Sequence, residues 1–143
     1  MSANSRMTTV VHVLTWMSLD RQVNEVTTSQ RIADSVNTNA VVIRRYLSVL
    51  REASLVRSRR GAGAGWVLAR EPEHITLLDV YSTVEAAGPF GMHHTPPNTD
   101  CAVGFGIRPA LRVVYSGLED QLRKELARTT IADVLRDVLL QQR

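Results

Sequence analysis

Cysteine and lysine are almost absent from this chain, with one of each in 143 residues. A single cysteine excludes an internal disulfide and fits a reducing, cytoplasmic setting. No apolar run approaches the roughly eighteen residues that a helical membrane span needs, so no membrane partner is expected. The opening stretch MSANSRMTTVVHVLTW has a short apolar run interrupted by His12 and no small-residue cleavage site, and no signal peptide is read there. Paired carboxylates, a Ser-His-Asp set and a nucleotide-binding loop are also missing, which argues against an enzyme. A dyad of Cys101 with His93 would need geometry that spacing does not supply. There is no internal repeat, and the length suits one domain with an appended helix rather than two full cores.

Positive charge is plentiful, but only in one half. Residues 1–70 hold ten arginines against Asp20, Glu25, Asp34 and Glu52, a net of +6. Residues 71–143 hold six arginines and Lys124 against ten acids, a net of −3. Arginine is the side chain suited to forked contacts with phosphate and guanine. A basic half joined to an acidic half suggests a nucleic-acid module, residues 1–71, joined to a second region of different function, residues 72–143.

Apolar spacing divides the chain into elements. Met7, Val10, Val11, Leu14 and Met17 recur at helical intervals over residues 5–19. A shorter helix is expected over residues 29–35, with Thr28 or Ser29 as its N-cap. After the polar run Asn37-Thr38-Asn39, a third helix spans about residues 40–53, with Ile43, Leu47 and Leu50 on one side and Val41, Arg44, Arg45 and Ser48 on the other. Two β-like runs, 55–59 and 66–69, flank the glycine-rich loop 60–65 and read as a hairpin. Helix, turn, helix, hairpin is the order of a winged helix-turn-helix. Beyond it, Thr76-Leu77-Leu78-Asp79 is a capping box opening a helix to Glu85. Residues 88–106 read as an irregular loop, and a long helix begins at about Arg108 with Pro109 in its first turn. Thr130-Ile131-Ala132-Asp133 opens a terminal helix. The fold expected is mainly α, with a two-stranded wing and a long C-terminal dimerisation helix.

The third helix is the main functional candidate. A helix laid in the major groove reads bases with residues near its N-terminus. Thr28, Asn37, Asn39, Val41, Arg44 and Arg45 are therefore candidate DNA contacts, and Arg57, Arg59 and Arg60 of the hairpin are candidates for phosphates or the minor groove. The Gly-Ala-Gly-Ala-Gly run lacks the spacing and the following helix of a dinucleotide loop. In the long helix, Leu111, Val114, Leu118 and Leu122 form a stripe that pairing with a second copy would bury.

The segment RSRRGAGAGWVLAR, residues 57–70, followed by EPEHITLLDVYSTVEA, resembles the signature of the bacterial Rrf-two winged-helix regulators. Arg60-Gly61, Gly65-Trp66, Leu68-Ala69-Arg70, Pro72-Glu73 and Leu77-Leu78-Asp79 carry the resemblance, which extends through the closing Thr130-Ile131-Ala132-Asp133-Val134. It implies a homodimeric repressor of transcription that binds a palindromic site on double-stranded DNA. Ser54 stands where the family usually has glycine. Cluster-binding members have three cysteines before the long helix, whereas this chain has Cys101 alone, so no iron–sulfur cluster or other metal is expected. A mixed ligand set drawing on Cys101, His93, His94 or His12 from two protomers is the alternative, and His12 reads rather as a packed or solvent-facing residue. Cys101, with His93 and His94, is also a candidate sensor, the thiol acting as a redox switch; the effector is not identified. The competing function is a winged-helix module that binds a protein rather than DNA.

Overall fold

A computed structural model describes residues 5–85 and 87–142 of the chain. Helix α1 (Ser5–Asp20) carries Val10, Val13, Leu14 and Met17 into the interior. The short helix α2 (Ser29–Val36) starts at Thr28, whose side chain accepts from the Arg31 N–H, and ends at Asn37 in the left-handed conformation, φ 65°. Asn39 caps α3 (Ala40–Glu52) by accepting from the Val42 N–H. Capping at both ends of a three-residue break fixes where one helix stops and the next begins, and an N-cap of this kind contributes about 1 kcal/mol.

Ile32 and Ala33 of α2 and Ile43, Leu47 and Leu50 of α3 meet the apolar side of α1 in one core, with Leu55 and Val56 closing it. Complete burial of a Leu or Ile side chain stabilises by roughly 1.5–3 kcal/mol, which makes this packing the main determinant of the angle between α2 and α3. After α3 the chain turns through Ser54, at φ 61°, into the antiparallel strands β1 (Val56–Arg59) and β2 (Gly65–Leu68). Gly61 and Gly63, at φ 85° and 74°, make the reversal between them possible. Thr27 extends this hairpin by exchanging two backbone hydrogen bonds with Trp66, of 2.9 and 2.8 Å. The sequence pattern missed this third edge because one bridging residue leaves no alternation to detect.

Past a short 3-10 turn at Pro72–His74, helix α4 (Leu77–Val84) and the final helix α6 (Ile131–Leu140) both begin with capping boxes. Their starts are tied together, since Leu77 N–H donates to the Thr129 carbonyl and Ile131 N–H to that of Ile75, with both isoleucines fully buried. Helix α6 then packs along α1, so the body extends well beyond the winged module.

Helix α5 (Ala102–Leu126) differs from all the others. Of its 25 residues none is buried. It starts at Ala102, six residues earlier than the sequence pattern indicated, so the loop before it ends at Cys101 and Pro109 lies inside the helix. Gly104, Gly106 and Pro109 suppress helix propensity locally, but Cys101 accepts the Phe105 N–H and starts the helix regardless. Gly104 is required there, because a Cβ would lie 1.9 Å from the Asn98 carbonyl oxygen of the adjoining loop. The helix is joined to α4 by the Tyr81 hydroxyl, which donates to Glu119, and by Arg123, which reaches Ser82 and lies over the Tyr81 ring. Burial first, and the Glu119 carboxylate next, push the Tyr81 hydroxyl up to about 12, so it remains a donor.

Candidate nucleic-acid interface

Of the ten arginines of the basic half, Arg6 lies 3.9 Å from Glu85, and the other nine fall into two groups. Arg21 pairs with Glu71 at 2.7 Å, Arg31 with Asp20 at 2.6 Å, Arg59 with Glu25 at 2.5 Å and Arg70 with Asp79 at 3.4 Å. Arg51 stacks on Trp66, 5.6 Å from the ring centre. Arg45, Arg57 and Arg60 have no ion pair or hydrogen bond among the described residues, and Arg44 has only a 3.3 Å hydrogen bond to Ser29. Three of these four sites are exposed positions at which a guanidinium remains available to an external anion, and Arg44 needs to give up only a long hydroxyl contact.

Their positions follow from the fold. Ile43, Leu47 and Leu50 turn inward, which forces Val41, Arg44 and Arg45 outward at 100° per residue. Val41 is 51% exposed, an apolar side chain between two cations on the first turns of α3. Arg57 and Arg60 belong to the wing that follows. Arg59 also lies in the wing, but is held by Glu25 from the α1–α2 connection, 34 residues away. Thr28 and Asn39 use their side-chain oxygens as helix caps, and Asn37 sits in the left-handed turn between the helices. These three residues shape the turn that presents α3.

A buried carboxylate holds that turn against α1. Asp20, at the last position of α1, accepts from Thr27, from Arg31 at 2.6 Å and from Asn24 at 2.8 Å, while Arg31 also donates to the Val26 carbonyl. Burial pushes the Asp20 carboxyl up, but the hydrogen bonds from Thr27, Arg31 and Asn24, together with the Arg31 charge, outweigh it and hold the group below its ordinary value. Sequence reasoning missed this group because its members are distributed along a connection with no motif.

The expected sensor residues lie elsewhere. His93 and His94 are exposed in the loop preceding α5, where the His93 carbonyl accepts from Arg108. Cys101 is exposed at the N-terminus of α5, and the backbone N–H groups of Gly104 and then Val103 hold its thiol below the ordinary range. His12 is on α1, bonded to Ser35 at 2.9 Å. Among the described residues no three His, Cys, Asp or Glu side chains of one chain are grouped to hold a metal, and Cys101 is the one thiol a chain could offer to a cluster.

The expected pairing stripe is divided between two environments. Leu111 and Leu122 are half-buried, while Val114 and Leu118 are exposed. The most exposed apolar side chains on the helix are Val113 at 76%, Phe105 at 72% and Val103 at 69%, which the leucine period did not single out.

Comparison with known proteins bears on the chain as a whole. Residues 3–137 match the profile of the Rrf2 family, described as an iron-dependent transcriptional regulator. YwnA of Bacillus subtilis strain 168, classed as an HTH-type transcriptional regulator, is 39% identical over 132 residues, covering 92% of this chain and 96% of YwnA. CymR of the same organism, also an HTH-type transcriptional regulator, is 31% identical over 108 residues, covering 76% of this chain and 71% of CymR. The solved structure of CymR, described as the global cysteine regulator, superposes with a TM-score of 0.62 at 27% identity over 90% of this chain and 94% of that one. IscR from T. potens shares the fold, with a TM-score of 0.70 at 22% identity over 96% of this chain and 87% of that one.

Proposed function

We propose, from the premise that this chain belongs to the Rrf2 family of transcriptional regulators, that it acts in the cytoplasm as a homodimeric repressor reading a two-fold operator. It is a DNA-binding transcriptional regulator and not an enzyme, which sets aside the expectation of a module that binds protein alone. The observation that carries the finer reading is the sorting of arginines. Arg21, Arg31, Arg59 and Arg70 are paired with acids of the same chain, whereas Arg44, Arg45, Arg57 and Arg60 are left for DNA. Arg44 and Arg45 would take guanine edges in the major groove, with Val41 against a neighbouring apolar edge. Arg57 and Arg60 would take backbone phosphates or the minor groove.

Two copies joined through α5 would bury Val103, Val113, Val114 and Leu118, apolar surface that the single chain leaves in water. Residues 5–85 and α6 would then form the reading body, and α5 with its preceding loop the dimerisation arm. That loop, with Cys101, His93 and His94, is the segment we assign to signal response, through the thiol rather than through a metal. Labelling Cys101 with a thiol-reactive probe should alter DNA affinity, and unchanged affinity would remove the loop from that role.

The test of the DNA reading is selection of binding sites from a random duplex pool by the full chain. The expected product is an imperfect inverted repeat whose half-sites lie about one helical turn or a multiple apart. An unenriched pool, or enrichment that persists when Arg44 and Arg45 are both replaced by alanine, would contradict it.

A further inference from the structure

We propose that the cavity between α1, α4 and the last turns of α5 binds a small organic ammonium compound. Its volume is about 500 Å³, within the range of small-molecule sites. Met7, Val11, Leu77, Leu122 and Leu126 make its wall apolar, and Glu85 contributes a carboxylate. The Glu85 side chain is only 12% exposed, and its Oε1 is shut off from solvent with no hydrogen-bond partner among the described residues. The nearest described cation, Arg6, stands 3.9 Å from the other oxygen, beyond hydrogen-bond distance, and is itself half in solvent. Tyr81 also borders the cavity, but its hydroxyl is committed to Glu119, and Arg123 is bonded to Glu119 at 3.0 Å.

A dehydrated carboxylate oxygen without a donor is costly, and a ligand N–H that reached it as the side chain turned would relieve that cost. Apolar walls and a single carboxylate provide no coordination sphere for an inorganic cation. They suit an ammonium group on a hydrocarbon or aromatic body, as phenethylamine has. The cavity occupies the joint between α5 and the body, where α4 supplies the attachments of the long helix. Filling it would fix the angle of α5. In a dimer paired through α5, that angle sets the separation of the two reading helices and hence the affinity for DNA. This second step rests on the function proposed above, whereas ligand binding does not.

Calorimetric titration of the full chain with phenethylamine, phenethyl alcohol and hydrocinnamate tests both steps. The amine should bind roughly tenfold more tightly than the alcohol, as a hydrogen bond to a charged group predicts, and hydrocinnamate should bind most weakly. Glu85→Gln should bring amine and alcohol to the same affinity. Leu122→Trp should abolish binding of both with an unchanged circular dichroism spectrum, and Val11→Trp serves if that variant does not fold. Equal binding of amine and alcohol by the unaltered chain, a preference surviving in Glu85→Gln, or no binding of either would overturn the proposal. The last result is also expected if a second copy of the chain already fills the cavity. On selected DNA, the amine should shift the affinity of the unaltered chain severalfold and leave that of Glu85→Gln unmoved. Selective amine binding without a DNA shift would overturn the coupling, and failure to select any DNA would leave the calorimetric result to stand alone.

Discussion

On α3, Ile43, Leu47 and Leu50 are shut off from solvent, whereas on α5, a helix nearly twice as long, Val114 and Leu118 are exposed at the same four-residue spacing as Ile43 and Leu47. The side chains are of similar kinds and the helical periods match. What differs is the supply of neighbours. Helix α3 meets α2 and β1 and shares a core with α1 within its own chain, while α5 is tied to the body through α4 and accompanied on its other turns by its own preceding loop, where Phe90 stacks on Tyr115. A periodic apolar stripe therefore identifies a face that must be covered, but it does not say whether the cover belongs to the same molecule.

The comparison can be broken from either side. Replacing Leu14 by alanine, in the centre of the body, should lower stability by about 3–5 kcal/mol in denaturant titration, as a well-packed core site predicts. Replacing Val114 and Leu118 together by aspartate should leave the unfolding of the body nearly unchanged and convert a dimer into a monomer in sedimentation equilibrium, a loss of about 2–4 kcal/mol in association. If the aspartate pair unfolds the body, or leaves the assembly intact, the two regions are not independent in the way proposed.

Within the body, Asp20 tests how firmly the reading helices are held. Its folded pKa lies below the unfolded value of about 3.9, so its contribution is fully present above that value and is lost as the pH falls towards the folded one. Asp20→Asn should therefore lower stability by about 1–2 kcal/mol at neutral pH, after allowance for the part-exposed Arg31. The difference from the unaltered chain should narrow in acid, as read from denaturation midpoints against pH. The smallest effect is expected at Ser54, held at φ 61°, where glycine should add about 0.5–1 kcal/mol by relieving a left-handed conformation. A destabilised Ser54→Gly variant would mean that the hydroxyl has a role beyond the turn.

These two regions also differ in how well they could be read in advance. The winged order, both capping boxes and the outward face of α3 were legible because each depends on residues close together in sequence. The start of α5 was not, since Gly104 and Gly106 resemble a loop and Pro109 resembles the first turn of a helix, and a tertiary contact at Asn98 is what calls for one of those glycines. The division among arginines was equally hidden. Arg59 and Arg57 look alike in the sequence, and only folding brings Glu25 to one of them across 34 residues. Asn37 and Asn39 stood out as polar residues near the start of the reading helix, where capping and base contact call for the same side chains.

The sorting of arginines is the central claim, and the salt dependence of DNA binding tests it most directly. Each lost phosphate contact lowers the slope of log affinity against log salt by about 1. The triple variant Arg45→Ala, Arg57→Ala, Arg60→Ala should therefore lose a large part of the slope shown by the unaltered chain on the selected operator. Arg21→Ala, which removes a guanidinium already paired with Glu71, should keep it. Equal slopes for the two variants would contradict the account.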